Sequence, residues 1–385
     1  LPLFPLFKKN LIKFNNIIID SKSGYSGAGR GVHKKYKDKN LYQSLSAYGV
    51  GFHRHNSEID QMLKKYTKKE INFSFTPHLT PMFRGILSTI YIDLEIGVTQ
   101  SNVVKKLLTF YQKDFTDVAD QVQADAIVIC SPTDTHANYV SIAAKKGIDV
   151  FCEKPLDLSL EKVKQVLKTV NESKIKLMLG FNRRFDSEFQ SVKEKIVNGH
   201  IGDIHTIKIT SRDPSPPPIN YIKSSGGMFL DMTIHDFDMI RYLTNKEIVE
   251  VYAKGDALIN PEIAKAGDID TAIINLTFED GSMAVIDNCR KAVYGYDQRV
   301  EVFGSMGMVQ SKNKFDNYTI TYGEKGVISS LPQHFFLERY ADAYKKEIDH
   351  FIDCILHKKN PEVSGYDGLM SLMLGLCAKK SLNSN

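Results

Sequence analysis

No stretch of this chain approaches the roughly 18 consecutive apolar residues that a membrane-crossing helix needs, so a transmembrane segment is excluded as a reading of the sequence. The opening Leu1-Pro2-Leu3-Phe4-Pro5-Leu6-Phe7 sets its apolar residues before the first lysines, the reverse of a secretory signal, and a cytoplasmic location is expected. Cysteine is scarce and is missing before residue 130: Cys130, Cys152, Cys289, Cys354 and Cys377 are the five. They form no CxxC or other ligand spacing, so neither a disulfide framework nor a metal site is expected, and the thiols fit a reducing compartment. A complete GxGxxG is missing too. Gly27-Ala28-Gly29-Arg30-Gly31-Val32 comes closest, but Val32 stands where a third glycine would let a helix pack on the preceding strand. The following His33-Lys34-Lys35-Tyr36-Lys37 has no apolar periodicity, so a structural loop is expected there.

What is present is an ordinary soluble composition: 42% hydrophobic and 25% charged residues, against disorder or a fibrous repeat. At about 150 residues per domain, 385 residues make two or three domains, each able to bury a core. Residues 1–112 hold 17 Lys+Arg against 7 Asp+Glu, and the remainder 33 against 38, so a +10 piece precedes a −5 piece. Clustered cations would suit a phosphate backbone. Here the lysines come as scattered pairs, Lys8-Lys9, Lys34-Lys35, Lys64-Lys65 and Lys68-Lys69, which reads as a solvated surface and not as a nucleic-acid site.

From residue 125 the pattern is regular. Residues 125–130 read as a buried strand, 135–146 as a helix, 150–152 as a strand, 159–170 as a helix opened by a Ser cap, and 175–180 as a strand. Such alternation means parallel strands with crossover helices, part of a doubly wound sheet. Beyond residue 200, runs at 204–210, 248–255, 271–278, 283–288 and 299–303 are strands with few helices between them, a largely antiparallel sheet. Residues 337–357 have helical periodicity, and a further helical stretch follows Pro361. Ahead of residue 112, 17–20 reads as a strand and 57–66 as a short helix, with a seam expected between about 110 and 120. The expected fold class is α/β plus α+β: an α+β fragment (1–115), then an incomplete doubly wound, Rossmann-like parallel sheet (116–182), then a largely antiparallel β-sheet domain (183–385).

Two resemblances share the chain. IIIDSKSGYSGAGR (17–30), GFHRHNSEID (51–60) and FTPHLTPMFRGILSTIY (75–91) make residues 16–112 resemble the carboxy-terminal half of N-acetyl-gamma-glutamyl-phosphate reductase. That family works through a cysteine thioester, with a histidine as acid and base, and the resemblance puts His53 or His55 in that role. A thioester needs a thiolate, and no cysteine precedes Cys130, so this piece is expected to be unable to do the chemistry. ICSPTDTHA (129–137), VFCEKPLDL (150–158), GFNRRFD (180–186), GGMFLDMTIHDFDM (226–239) and YGYDQRVEVFGS (294–305) make residues 117–385 resemble the Gfo/Idh/MocA oxidoreductases, the inositol 2-dehydrogenases above all. That family's first βαβ unit, with its glycine-rich turn, should stand before residue 117, where reductase-like sequence stands instead. The chain thus looks like a junction of two incomplete oxidoreductases.

Hydride transfer from an alcohol needs a base for the hydroxyl proton, a cation to steady the alkoxide and a nicotinamide face. Lys154 follows the 150–152 strand at the carboxyl edge of the parallel sheet, where ligands of such folds bind. A lysine there is ordinarily a surface charge, but Phe151 and Cys152 beside it point to a buried approach. Asp231 and His235 are four apart in an apolar stretch, and on one helix they would share a face. They read equally as base and orienting carboxylate, or as a capping Asp and a packed core His. The resemblance implies catalysis by Lys154, Asp231 and His235, without a metal. It further implies nicotinamide-side contacts from Ser131, Pro132, Thr133, His136, Glu153, Asn182 and Arg183, with NAD expected and NADP left open. Arg212, Asp213, Tyr296, Gln298 and Arg299 carry donors and acceptors that suit a ring of hydroxyls, or are ordinary sheet-surface polar residues. The expected partner is a small polyol such as myo-inositol, with copies of the chain associating through the carboxy-terminal sheet. Two other readings are an acyl-phosphate reductase and a non-catalytic polyol-binding or oligomerising module.

Overall fold

Ile17 and Ile19 are buried while Ile18 between them is 47% exposed, the two-residue period of a sheet with one covered face. They lie in β1 (Ile17–Gly24), which pairs parallel with β3 (Phe73–Thr80) and antiparallel with β4 (Ile86–Tyr91); β2 (Ser46–Ala47) completes the order β2-β3-β1-β4. Helices α1 (Phe4–Lys8), α2 (Arg54–Thr67) and α3 (Gln100–Tyr111) bring Leu6, Phe7, Leu63 and Val103 to the same core as Ile12, Ile17, Ile19 and Phe75. The computed structural model describes residues 3–24, 45–80, 86–111 and 124–384. The Gly27–Gly31 motif and most of the expected seam lie outside the described residues. The chain divides into two units, Leu1–Val118 and Ala119–Asn385.

The second unit begins with a parallel sheet of order β5-β6-β7: β5 (Ala126–Ile129), β6 (Asp149–Glu153) and β7 (Leu177–Gly180). The crossovers are α4 (Thr133–Lys145), with Val140, Ala143 and Ala144 buried, and α5 (Leu160–Ser173), with Val163, Val166 and Val170 on one face at helical spacing. Ser159 caps α5 as expected, its side chain accepting from the Lys162 amide. All of β7 is buried, but Val128 of β5 is 53% exposed. Parallel sheets are normally covered on both faces, and among the described residues β5 is the edge strand of this one.

Beyond the 3-10 turn Asn182–Phe185 and α6 (Ser187–Val197) come β8 (Ile204–Arg212), three helices α7 (Ile219–Ser224), α8 (Met228–Asp231) and α9 (Ile234–Thr244), then β9 (Ile248–Asp256) and α10 (Pro261–Lys265). The expectation of few helices here is corrected: Met228, Phe229, Leu230, Ile234, Phe237 and Ile240 are buried, an apolar layer under the sheet rather than a loop. Strands β10 (Thr271–Phe278), β11 (Met283–Cys289), β12 (Asp297–Gly304) and β13 (Gly307–Ser311) complete a six-stranded sheet of order β13-β12-β8-β11-β10-β9. It is antiparallel except for the parallel pair β8 and β11. A hairpin of β14 (Ile320–Gly323) and β15 (Gly326–Ser329) follows.

The helix expected over 337–357 is two, α11 (Phe336–Arg339) and α12 (Ala341–Leu356), interrupted at Tyr340, whose φ of −113° leaves the helical range. The residue is 1% exposed, and its ring packs under the Arg339 and Arg183 guanidinium groups. The last helix, α13 (Gly365–Ser384), comes close enough to β7 and α8 that a Cβ at Gly368 would stand 2.1 Å from Leu179 and one at Gly375 2.5 Å from Leu230. Gly375 thus seats the segment that carries Asp231, and Gly368 seats α13 on β7.

Candidate active site

Lys154, Asp231 and His235 meet in one cleft of about 650 Å³ in the second unit, together with Asn182, Arg183, Asp213 and Tyr296. Lys154 follows β6, and its Nζ donates to the Asp231 main-chain carbonyl at 2.6 Å while standing 3.6 Å from the Asp231 carboxylate. The Tyr221 hydroxyl donates to the same carboxylate at 2.9 Å, and Arg290 Nη1 lies 3.6 Å from its other oxygen. Burial and the Asp231 charge push Tyr221 above its ordinary pKa, so the phenol stays a donor. Asp213 lies just past β8, and burial pushes its pKa to about 6, with Arg290 and Arg183 opposing and Asp231 and Asp236 adding to the rise.

The pairing of Asp231 with His235 is corrected. Asp231 ends α8 and His235 lies in the first turn of α9, with the break at Met232 and Thr233, so the two do not share one helical face. The Asp231 carboxylate is engaged by Lys154, Tyr221 and Arg290, whereas His235 Nδ1 is buried with no hydrogen-bond partner. The imidazole is held by packing, edge-on to the Phe181 ring at 5.9 Å. Burial first, then Lys154 and Arg183, hold it well below the usual histidine range. At neutral pH the free ring is therefore uncharged.

Arg212, Gln298 and Arg299 do not line the cleft. Cross-strand register puts Arg212, Asp287, Asp297 and Arg299 on the outer face of the six-stranded sheet and Ser211 and Gln298 on the inner one. Arg212 grips Asp287 and the Tyr294 hydroxyl, Arg299 grips Asp297 at 2.7 and 2.9 Å, and Gln298 Oε1 accepts from Ser211 at 3.1 Å. Sheet parity thus decides which of these adjacent polar residues face the ligand side.

Among the cofactor candidates, Ser131, Pro132 and Thr133 lie where β5 ends and α4 begins, and Glu153 ends β6. His136 is buried and braces the backbone instead of facing a ligand. Its ring nitrogens lie 2.8 Å from the Pro155 carbonyl and 2.7 Å from that of Ser131, tying together the loops after β5 and β6. Arg183 lines the cleft, but its guanidinium is engaged by Asp236 and Ser211. A dinucleotide is fitted in part by these residues. Three strand ends converge beside Lys154, and the thirteen-residue α4 follows Pro132 with no side-chain cap, the Thr135 amide donating to the Pro132 carbonyl and leaving those of Thr133 and Asp134 for an oxygen ligand. Among the described residues, however, no strand of the parallel sheet stands beyond β5 to lead into a glycine-rich turn that would cradle a pyrophosphate.

Sequence reasoning missed Tyr221, Arg290, Tyr340, Tyr344, Phe335, Phe336 and the run Pro216-Pro217-Pro218, all of which line the cleft. The proline run was the one visible signal, since three prolines cannot extend a strand beyond β8. The aromatic residues come from α11, α12 and the chain before them, far along the sequence. On α12, Tyr344 and Glu347 lie three apart, and Glu347 is 1% exposed with Oε2 unpartnered. Burial first, then Glu153, raise Glu347 to about 9. The folded chain therefore keeps a proton that the unfolded chain releases at about the ordinary 4.5, and stability is expected to fall as pH rises from there toward 9. The slope is at most about 1.4 kcal/mol per pH unit. Glu347→Gln should remove it; urea midpoints with the same pH dependence in both proteins would refute the assignment.

In the first unit, His53 and His55 open α2, where the His53 ring accepts from the His55 amide and the two rings lie 4.6 Å apart. Burial, His55 and Arg54 lower the His53 pKa. They pack on Phe75, and the sequence supplies no thiol to this unit. An opening of about 800 Å³ in this unit is a broad groove around Lys13, Asp60, Lys64 and Glu70, and neither histidine lines it. No cluster of three or more metal-ligating side chains occurs among the described residues, and no described helix is long and apolar enough to cross a membrane.

Comparison with known proteins finds two families along the chain. Residues 1–150 match the family described as semialdehyde dehydrogenase, dimerisation domain, and residues 189–310 match the GFO/IDH/MocA C-terminal domain. The chain is 49% identical over 270 residues to the myo-inositol 2-dehydrogenase of Thermotoga maritima, covering 70% of this chain and 81% of that protein. The structure of scyllo-inositol dehydrogenase from Lactobacillus casei with bound NAD(H) and scyllo-inositol superposes with a TM-score of 0.67 at 31% identity, over 74% of this chain and 87% of that one. The N-acetyl-gamma-glutamyl-phosphate reductase of Ehrlichia canis is 44% identical over 125 residues, 32% of this chain and only 36% of that protein. The fold, the cleft and nearly half-identical sequence over most of a dehydrogenase's length agree: this chain belongs to the Gfo/Idh/MocA oxidoreductases, and ahead of its dehydrogenase-like part it carries a segment similar to N-acetyl-gamma-glutamyl-phosphate reductase.

Proposed function

We propose that the second unit oxidises one ring hydroxyl of a cyclic polyol of the myo-inositol type with NAD, and that the first unit is a reductase segment without its nucleophile. The division of the second unit into a nucleotide-binding part, 116–182, and a substrate part, 183–385, belongs to this proposal, as does a cytoplasmic location. One observation carries the reading: a lysine hydrogen-bonded to the Asp231 carbonyl and a neutral histidine share a cleft at the carboxyl edge of a parallel sheet. NAD supplies the hydride acceptor when bound.

The chain's own groups do the rest. His235, neutral, takes the hydroxyl proton as the C–H bond breaks. A base of low pKa is a weak acceptor, and the Lys154 ammonium offsets this by stabilising the alkoxide that forms. Asp231, held by Tyr221 and Arg290, fixes Lys154 in place. Asp213 and Tyr296 offer polar contacts for the other hydroxyls, while Phe335, Phe336 and Tyr340 face the ring's C–H surface. Exposed Tyr252, Ile273, Phe303 and Met308 share the outer face of the six-stranded sheet and support association of copies there.

Calorimetric titration of myo-inositol into the chain between pH 5 and 8 tests the reading. Binding should strengthen as Asp213 loses its proton, with a midpoint near its pKa of about 6, and Asp213→Asn should abolish that midpoint. His235 contributes no titration above 6.5, because its pKa lies well below that value. Absence of myo-inositol binding at every pH would remove the polyol reading. A second reading, a polyol-binding module without turnover, is favoured by the edge position of β5 among the described residues; such a module binds myo-inositol equally with and without NAD.

A further inference from the structure

Asp231 is the last residue of α8, and a four-residue helix has too few internal hydrogen bonds to hold its own shape. Its amino end is fastened by Asp268, whose Oδ1 accepts from the Met228 amide at 2.9 Å. Gly227 permits this approach: its φ is +85°, and a Cβ there would stand 2.7 Å from Asp268 Oδ1. The carboxyl end faces Arg290. Nη1 of Arg290 lies 3.6 Å from Asp231 Oδ2, and Nη2 lies 3.6 Å from Asp268 Oδ2. One guanidinium therefore stands between the carboxylates at the two ends of α8.

Arg290 is 1% exposed, and its Nε and Nη2, like Asp268 Oδ2, have no hydrogen-bond partner. Keeping a buried guanidinium with unmade hydrogen bonds is costly, and an apolar side chain of similar volume would pack there without that cost. Packing alone does not account for an arginine here. Its backbone is anchored independently of α8, since the Arg290 amide donates to the Asp270 carbonyl at 2.8 Å just after β11.

We propose that Arg290 is a positioning residue: paired with Asp268, it brackets α8 from both ends and holds the Asp231 carboxylate against Lys154 and Tyr221. The consequence for polyol binding rests on the function proposed above, whereas the bracket is a property of the free chain. Lysine keeps the charge but lacks the forked donors that reach two carboxylates at once.

Amide hydrogen exchange of the full chain, read with myo-inositol affinity, tests this. In Arg290→Met the amides of Leu230, Asp231 and Met232, which donate to Gly227 and Met228 carbonyls, should exchange about 10-fold faster while those of β10 and β11 are unchanged. Arg290→Lys should recover part of the affinity lost in Arg290→Met and leave α8 looser than in the parent. Asp268→Asn keeps the capping oxygen and removes the charge, so it should loosen the Asp231 end alone, and it serves if Arg290→Met fails to fold. Unchanged exchange at 230–232 in both variants, or a uniform rise through the second unit, would overturn the bracket. Local loosening in these variants, with a parent chain that gives no heat with myo-inositol, would sustain the bracket and refute the polyol reading.

Discussion

A chimaera in which the first βαβ unit of a related inositol dehydrogenase is joined ahead of β5 is expected to bind NAD roughly 30-fold to 1000-fold more tightly than the chain itself. The range corresponds to about 2 to 4 kcal/mol for the backbone donors of a glycine-rich turn on a pyrophosphate. The half-exposed Val128 marks the edge that the added strands should cover, and the uncapped start of α4 marks the neighbouring amides already in place. Calorimetry on both proteins measures the difference. Low-micromolar NAD binding by the chain itself would show that another segment cradles the phosphates, and an unimproved chimaera would show that the β5 edge is not the place where the nucleotide docks.

In that chimaera Lys154→Ala should lower turnover of myo-inositol with NAD by about 100-fold or more, and His235→Ala by a comparable factor. Lys154→Arg should not rescue it, because a planar fork does not replace a point donor at 2.6 Å from the Asp231 carbonyl. Arg212→Ala and Arg299→Ala supply the contrast. Both guanidinium groups are engaged by Asp287 and Asp297 on the outer face of the sheet, so turnover should stay within about 2-fold of the parent. Steady-state rates at saturating myo-inositol decide the matter. A chimaera that stays fully active after Lys154→Ala and His235→Ala removes both from the mechanism, and a large loss in Arg212→Ala would restore that residue to the site.

The two halves of the chain also differ in what their motifs can still do. The reductase-like segments lie in a folded unit with a continuous core, yet the histidines they supply act as a helix cap and an aromatic cluster. The dehydrogenase-like segments converge on one cleft from β6, the turn after β7, the end of β8 and α8 with α9. A motif keeps chemical meaning only where the partners it needs are brought within reach. Asp213 illustrates this, since burial, with Asp231 and Asp236, raises its pKa to about 6 against the opposing Arg290 and Arg183, none adjacent to it in sequence.

By itself the sequence determined the order and type of the elements from β5 to β7 and the strands β8 to β12 beyond them. The apolar run at β6, the three-four spacing of Val163, Val166 and Val170, the Ser159 cap and the alternation along β10 each follow from local periodicity, which needs no partner to be read. It also determined that no thiol serves the first unit. Tertiary structure alone decided which polar residues reach the cleft. Arg212 and Asp213 are neighbours, yet one faces outward from the last residue of β8 while the other lies past the strand end. Asp231 and His235 are four apart, yet a helix break at Met232 gives one to Lys154 and leaves the other to Phe181. Strand parity, helix breaks and the long-range packing of Arg290 and Tyr340 depend on which surfaces meet, and local periodicity carries no information about a partner that lies dozens of residues away.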